Sequence, residues 1–204
     1  MRAVFIFLFG IMLLALPAGA TTTILALGDS LTAGLGLEAG HAMPSILEAA
    51  LKQDGQDITI INAGVSGDTA AQGAARLDWA LTPDVRAVIL ELGANDALRG
   101  LPPEQTEAAL RQILAKAKAK NLPVLLLGMR APPNLGEDYR TRFDGIYPRL
   151  AAEYGTLFDP FYLEGVAARP ELNQADGMHP NDKGVAAIVP RLVPLVKQLV
   201  AKLP

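Results

Sequence analysis

The run Val85-Arg86-Ala87-Val88-Ile89-Leu90-Glu91, the turn Leu92-Gly93-Ala94-Asn95-Asp96, the segment Pro103 to Lys120 and the run Val124-Leu125-Leu126-Leu127 together decide the fold. The two outer runs are short, β-rich and almost wholly apolar, as strands buried on both faces are. Between them, Ala108, Leu110, Ile113, Leu114 and Ala117 recur three and four apart and mark one face of a helix. Lys116, Lys118 and Lys120 crowd its last turns, where cations suit the helix dipole. A strand, a polar turn, an amphipathic helix and another strand make one unit of a parallel sheet.

Outward from this unit the same alternation repeats. Strands are expected at Thr22–Leu27, Ile58–Asn62, Val85–Glu91, Val124–Leu127 and Thr156–Phe158, their continuous hydrophobicity suggesting burial on both faces. Helices are expected at Pro44–Gln53, Thr69–Ala80, Pro103–Lys120, Tyr139–Tyr154 and Lys183–Lys202, the last kinked or shortened by Pro190 and Pro194. No linker, repeat or low-complexity tract interrupts the pattern, so the reading is a single α/β domain.

Residues 1–20 stand apart. Arg2 is their only charge, Ala3 to Leu16 is apolar except for Gly10, and Pro17-Ala18-Gly19-Ala20 follows. This is the layout of a signal peptide cleaved after Ala20, since the apolar run is shorter than the roughly 20 residues of a membrane span. The expectation is a mature domain over 21–204 in the periplasm or medium, with no stable membrane anchor; a monomer is favoured.

Composition narrows the chemistry. Half of the 204 residues are apolar and 19% are charged, which suits a folded core rather than disorder. A formal charge of −3 supplies no footprint for a nucleic-acid backbone. With no Cys and two His, thiol nucleophiles, disulfide scaffolds, zinc fingers and iron–sulfur clusters are excluded, and His-rich metal sites nearly so. Hydroxyls, carboxylates, amides and two imidazoles remain.

Parallel α/β sheets carry their sites in the loops at the carboxyl ends of the strands, and four segments stand out there. Gly28-Asp29-Ser30-Leu31-Thr32-Ala33-Gly34 follows the first strand, and Ser30 in it is either an exposed nucleophile or a helix cap. Asn62-Ala63-Gly64-Val65-Ser66-Gly67-Asp68-Thr69 follows the second; the Gly67 N–H is open to an anion, although Gly and Asp also make plain turns. In the third, the Asn95 amide can donate to an oxyanion or merely form a turn. Near the C-terminus, Asp176-Gly177-Met178-His179-Pro180-Asn181 sets a carboxylate three residues before an imidazole, where it can fold back and orient a general base. His41 has no such local partner and reads as structural. Ser30 and Ser66 both remain open as nucleophiles; Ser45, after Pro44 at a helix start, reads as a capping or first-turn residue.

Each motif has an ordinary explanation, yet the four occur in order and together supply nucleophile, oxyanion donors, acid and base. They resemble the blocks of the SGNH, or GDSL, hydrolases: Gly28-Asp29-Ser30-Leu31, Gly67, Gly93-x-Asn95-Asp96 and Asp176-x-x-His179. The longer runs Ser66-Gly67-Asp68-Thr69 and Glu91 to Gly100 resemble the thioesterase, lysophospholipase and arylesterase branch. The resemblance implies a three-layer α/β/α, flavodoxin-like fold with a five-stranded parallel sheet. It implies hydrolysis of small acyl-ester or thioester substrates without metal or cofactor. Ser30 becomes the nucleophile, ahead of Ser66, with His179 its base and Asp176 the orienting acid. The N–H groups of Ser30 and Gly67 and the amide of Asn95 become the oxyanion hole. Asp29 and Asp96 are expected to hold the loops.

Leu98, Leu101, Leu135 and Met178 are expected to bind an apolar acyl chain, with Phe158, Phe161 and Tyr162 on or near the same loops. Core packing is the plain alternative for all of them. Two rivals stand beside this reading: a carbohydrate acetyl esterase of the same family, whose pocket would be small and polar, and a flavodoxin-like module without catalysis.

Overall fold

A computed structural model describes residues 21–203, so the expected leader over residues 1–20 lies outside the described residues. Five parallel strands form one sheet in the order β2-β1-β3-β4-β5. They are β1 (Thr22–Gly28), β2 (Ile58–Gly64), β3 (Val85–Glu91), β4 (Val124–Leu127) and β5 (Leu157–Asp159). The central strands β1, β3 and β4 are buried along most of their length, as their continuous apolar runs require. The edge strands β2 and β5 are only partly covered, contrary to the expectation of burial on both faces, because each has a neighbour on one side alone.

Eight α-helices and two single 3-10 turns (Pro133–Leu135 and Pro170–Leu172) complete the described chain: α1 (Ser30–Ala33), α2 (Met43–Gln53), α3 (Ala70–Ala80), α4 (Ala94–Leu98), α5 (Pro103–Ala119), α6 (Glu137–Asp144), α7 (Ile146–Tyr154) and α8 (Asp182–Val200). Helices α2 and α8 pack together on one face of the sheet, while α3, α5 and α7 pack in sequence on the other. This is the expected three-layer α/β/α arrangement. Fully buried Ile24, Leu25, Val88, Ile89, Leu125 and Leu126 form the middle of the core. Each such aliphatic side chain stabilises the fold by roughly 1.5–3 kcal/mol.

Three helix expectations need correction. The expected helix over 139–154 is two helices, α6 and α7, that meet at Gly145. Pro148 is the cause: it lacks the N–H that would bond Asp144 O, and its ring crowds that carbonyl. Helix α8 is neither shortened nor interrupted by Pro190 and Pro194. Both prolines, and Ala186 four residues before the first, are exposed, so the carbonyls deprived of a partner lie on the solvent side. In α5 the buried small residues are Thr106, Ala109 and Ala117, while Ala108 is exposed.

The register matters for the site. Gly64, Gly28, Glu91, Leu127 and Asp159 are mutual neighbours across the sheet, so all five strands end in one row. The strand order reverses between β1 and β3, and loops leaving these two strands diverge over a crevice.

Candidate active site

Ser30 is the first residue of α1, directly past that row. Asp29 is the N-cap, and its Oδ1 accepts the Leu31 N–H at 3.0 Å. Capping and presentation therefore coexist in one turn, with Asp29 holding the helix start and Ser30 carried on it. The turn is possible only because residue 28 is glycine: a Cβ there would come within 2.0 Å of Thr32 Oγ1.

The segment from Asn173 to Pro180 folds back over α1. Gln174 Nε2 donates to Leu35 O at 2.7 Å, and the Gln174 N–H donates to His179 O at 2.8 Å. Asp176 Oδ1 accepts the N–H groups of Met178 at 2.9 Å and His179 at 3.0 Å across the left-handed Gly177. Its Oδ2 lies 2.6 Å from His179 Nδ1, and His179 Nε2 lies 2.9 Å from Ser30 Oγ. The His179 N–H, followed by the Met178 N–H and the imidazole, holds the Asp176 carboxyl down at about 2. A charged acceptor on Nδ1 leaves Nε2 free to take a proton from the hydroxyl.

Ser66 sits exposed at its turn and Ser45 exposed on α2, neither with an imidazole bonded to it. His41, read as structural, pairs on the surface with Asp182 Oδ1 at 2.9 Å.

The two other loops close on the same crevice. Asn95, in α4, follows Gly93, whose φ of 115° and contact with the Tyr147 hydroxyl admit no side chain. Asn95 Nδ2 donates to Asp68 O at 3.0 Å and to Asp29 Oδ2 at 3.1 Å. The Gly67 carbonyl accepts from Arg99 at 2.7 Å. Arg76 binds Asp68 Oδ2 at 2.5 Å and Gly28 O at 2.8 Å, so it ties the β1 and β2 loops together. Buried Asp96 accepts from the Ala70 N–H at 2.9 Å and Thr106 Oγ1 at 3.0 Å, which joins α4, α3 and α5. Asp29 and Asp96 thus have the loop-holding partners expected of them.

Ser30, Gly67, Asn95 and His179 all line a cavity of about 470 Å³. Leu98 and Met178 line it as well; Leu101 and Leu135 do not. The backbone of Leu101 is spent on Asp96 O and the Tyr139 hydroxyl, and Leu135 packs against the core. Among the neighbouring aromatics only Phe161 reaches the cavity, and Tyr162 is buried. Sequence reasoning missed Met129, Arg130, Pro132, Leu163 and Ala167 as wall residues. They leave β4 and β5, and the rule that pointed to the first three strand ends applies equally to these two.

A parallel α/β/α sheet with a hydroxyl, an imidazole and a carboxylate aligned at its switch point defines a hydrolase of the serine class. The description "GDSL-like Lipase/Acylhydrolase family" matches residues 26–187, and the chain belongs to this family, the SGNH hydrolases. It is 45% identical over 176 residues to the thioesterase 1/protease 1/lysophospholipase L1 of Escherichia coli strain K12, covering 86% of this chain and 83% of that one. It is 40% identical over 181 residues to the esterase TesA of Pseudomonas aeruginosa, covering 88% and 90%. The solved structure of AlinE4, an SGNH-hydrolase family esterase, superimposes with a TM-score of 0.76 at 48% identity, covering 88% and 97%. The chain is an ester-cleaving SGNH hydrolase, and the reading as a module without catalysis is set aside.

Proposed function

We propose that Ser30 attacks the acyl carbonyl while His179 Nε2 takes its proton, with Asp176 fixing the tautomer and balancing the imidazolium. The observation that carries this reading is the unbroken Ser30–His179–Asp176 chain, 2.9 Å and 2.6 Å per link, opening onto the apolar cavity. His179 then protonates the departing alcohol or thiol, an acyl-Ser30 remains, and water activated by the same imidazole releases the acid.

The N–H groups of Ser30 and Gly67 and the amide of Asn95 receive the oxyanion. Both amide hydrogens of Asn95 are engaged in the resting site, one of them by the neutral carbonyl of Asp68. Charge-assisted hydrogen bonds are roughly twice as strong as neutral ones, so an oxyanion draws that hydrogen away only once charge develops. Asn95 then contributes to the transition state and little to substrate binding. Asn95→Ala is expected to lower kcat about 10²- to 10³-fold with KM within a few-fold. A folded variant with full kcat would remove Asn95 from the hole.

The substrates are acyl esters and thioesters with a sizeable chain, including aryl esters, acyl-CoA and lysophospholipids. Support comes from the apolar wall, far larger than an acetyl group requires, and from the thioesterase, lysophospholipase and esterase names of the relatives. The wall also disfavours the carbohydrate acetyl esterase reading. A panel of p-nitrophenyl esters from acetyl to palmitoyl, with an acyl-CoA and a lysophospholipid, tests this. The ratio kcat/KM is expected to climb with chain length by up to about 0.8 kcal/mol per buried methylene until the cavity is full.

Leu98 is 55% exposed at the mouth, so its removal spares the fold. Leu98→Ala is expected to flatten the climb for octanoyl and longer esters and leave acetyl esters unchanged. Equal losses on all lengths would take Leu98 out of the chain path. Arg2, the apolar run after it and Ala18-Gly19-Ala20 support export to the periplasm or medium, with 21–204 as the mature domain.

A further inference from the structure

Beneath the nucleophile turn lies a carboxyl that the reaction as described does not use. Glu91, the last residue of β3, is wholly buried. Its Oε2 accepts from Thr32 Oγ1 at 2.8 Å and faces the Asp29 N–H at 3.4 Å. Its Oε1 has no hydrogen-bond donor among the described residues. Asp29, whose N–H faces that Oε2, is itself fully buried, carboxyl included.

Two neighbouring buried carboxyls do not both ionise without a counter-charge. Asp29 and Thr32 from the nucleophile turn face Glu91, and the other titratable groups whose charge couples to it are Tyr147 from α7 and Tyr162 after β5. None is a cation. The guanidinium of Arg76 is taken by Asp68 and Gly28 O, and His179 acts on Asp29 only through space.

The hydrogen bonds say where the one proton sits. Both oxygens of Asp29 already accept, from Leu31 N–H and from Asn95 Nδ2, which suits a carboxylate. Glu91 Oε1 accepts nothing, which suits an O–H. Burial raises both carboxyls, to about 6 for Asp29, and the charge of Asp29 drives Glu91 further up.

We propose that Glu91 is a positioning residue that works in its neutral form, donating from Oε1 to the Asp29 carboxylate, so that one buried proton braces the Ser30 turn and aims the Asn95 amide. Stripping that proton leaves two adjacent anions under the nucleophile, and repulsion between them shifts the turn. The inference rests on reading Ser30 as the nucleophile.

The test compares Glu91→Gln, Glu91→Ala and Glu91→Leu for kcat, KM, melting temperature and the infrared carbonyl band of a neutral carboxylic acid. The amide of Gln donates to Asp29 as the acid does and accepts from Thr32, so Glu91→Gln is expected to keep kcat within about threefold. Glu91→Ala is expected to lose about a hundredfold in kcat with KM unchanged, the scale of a small misplacement. Wild-type protein at neutral pH is expected to show a neutral-acid band that Glu91→Gln lacks.

Glu91→Gln as slow as Glu91→Ala, Glu91→Leu as fast as Glu91→Gln, or no band lost on Gln substitution would each overturn the proposal. The infrared arm needs no turnover. If fluorophosphonate still labelled Ser30→Ala, the nucleophile assignment would fall while the protonation of Glu91 was decided separately.

Discussion

Ser30→Ala and His179→Ala are each expected to lower kcat by about 10⁴- to 10⁶-fold. The two groups act as one unit across a 2.9 Å hydrogen bond, so losing either stops proton transfer from the hydroxyl at the moment of attack. Neither substitution disturbs the fold: Ser30 caps nothing with its own side chain, and the His179 ring lies at the cavity wall. Rates on a p-nitrophenyl ester and covalent labelling by a fluorophosphonate measure the two halves of the claim. Ser30→Ala is expected to abolish labelling and Ser66→Ala to leave it intact. Labelling lost in Ser66→Ala and kept in Ser30→Ala would move the nucleophile to the second loop.

Asp176→Asn is expected to cost about 10⁴-fold in kcat with the fold unchanged. The Asn Oδ1 can keep both backbone bonds, to Met178 and His179, so the turn survives. Its Nδ2 then faces His179 Nδ1 as a donor. The ring proton is driven to Nε2, and the nitrogen beside Ser30 can no longer accept.

The pH behaviour follows from the same bonds. The Asp176 carboxyl is depressed to about 2 in the fold, so its stabilising contribution is present above the ordinary carboxylate range and is lost as pH falls through about 2. Any acid limb of kcat/KM well above that value therefore belongs to other groups. A variant retaining a tenth or more of wild-type kcat would show that the imidazole needs no charged partner here.

Strand positions were legible in the sequence to within two residues, because Val85–Glu91 and Val124–Leu127 are apolar runs ended by a glycine-bearing turn or a Pro-containing one. The break between α6 and α7 was harder to see. A proline near a helix start is ordinary, and only the length of the expected helix turned Pro148 into an interruption.

The Ser30, Asn95 and His179 loops announced themselves through residue types, but their convergence is a property of the sheet order, which no local pattern encodes. Leu101 and Leu135 show the limit from the other side. They lie in loops beside the site, yet backbone bonds and core contacts turn them from the cavity that Leu98 and Met178 share. Glu91 was missed although its signal was available, as the charged end of an otherwise apolar strand.

The partners of the central hydrogen bond are 149 residues apart in the chain. During synthesis, Ser30 and the loops bearing Gly67 and Asn95 emerge long before the segment that bears His179. That segment is held in place by Gln174 and by the start of α8, which packs on α2. On the proposed assignment, acyl-transfer chemistry is therefore the last property the polypeptide acquires. A partly folded chain carries a hydroxyl no more reactive than any other serine, so turnover itself reports that folding has run to its end.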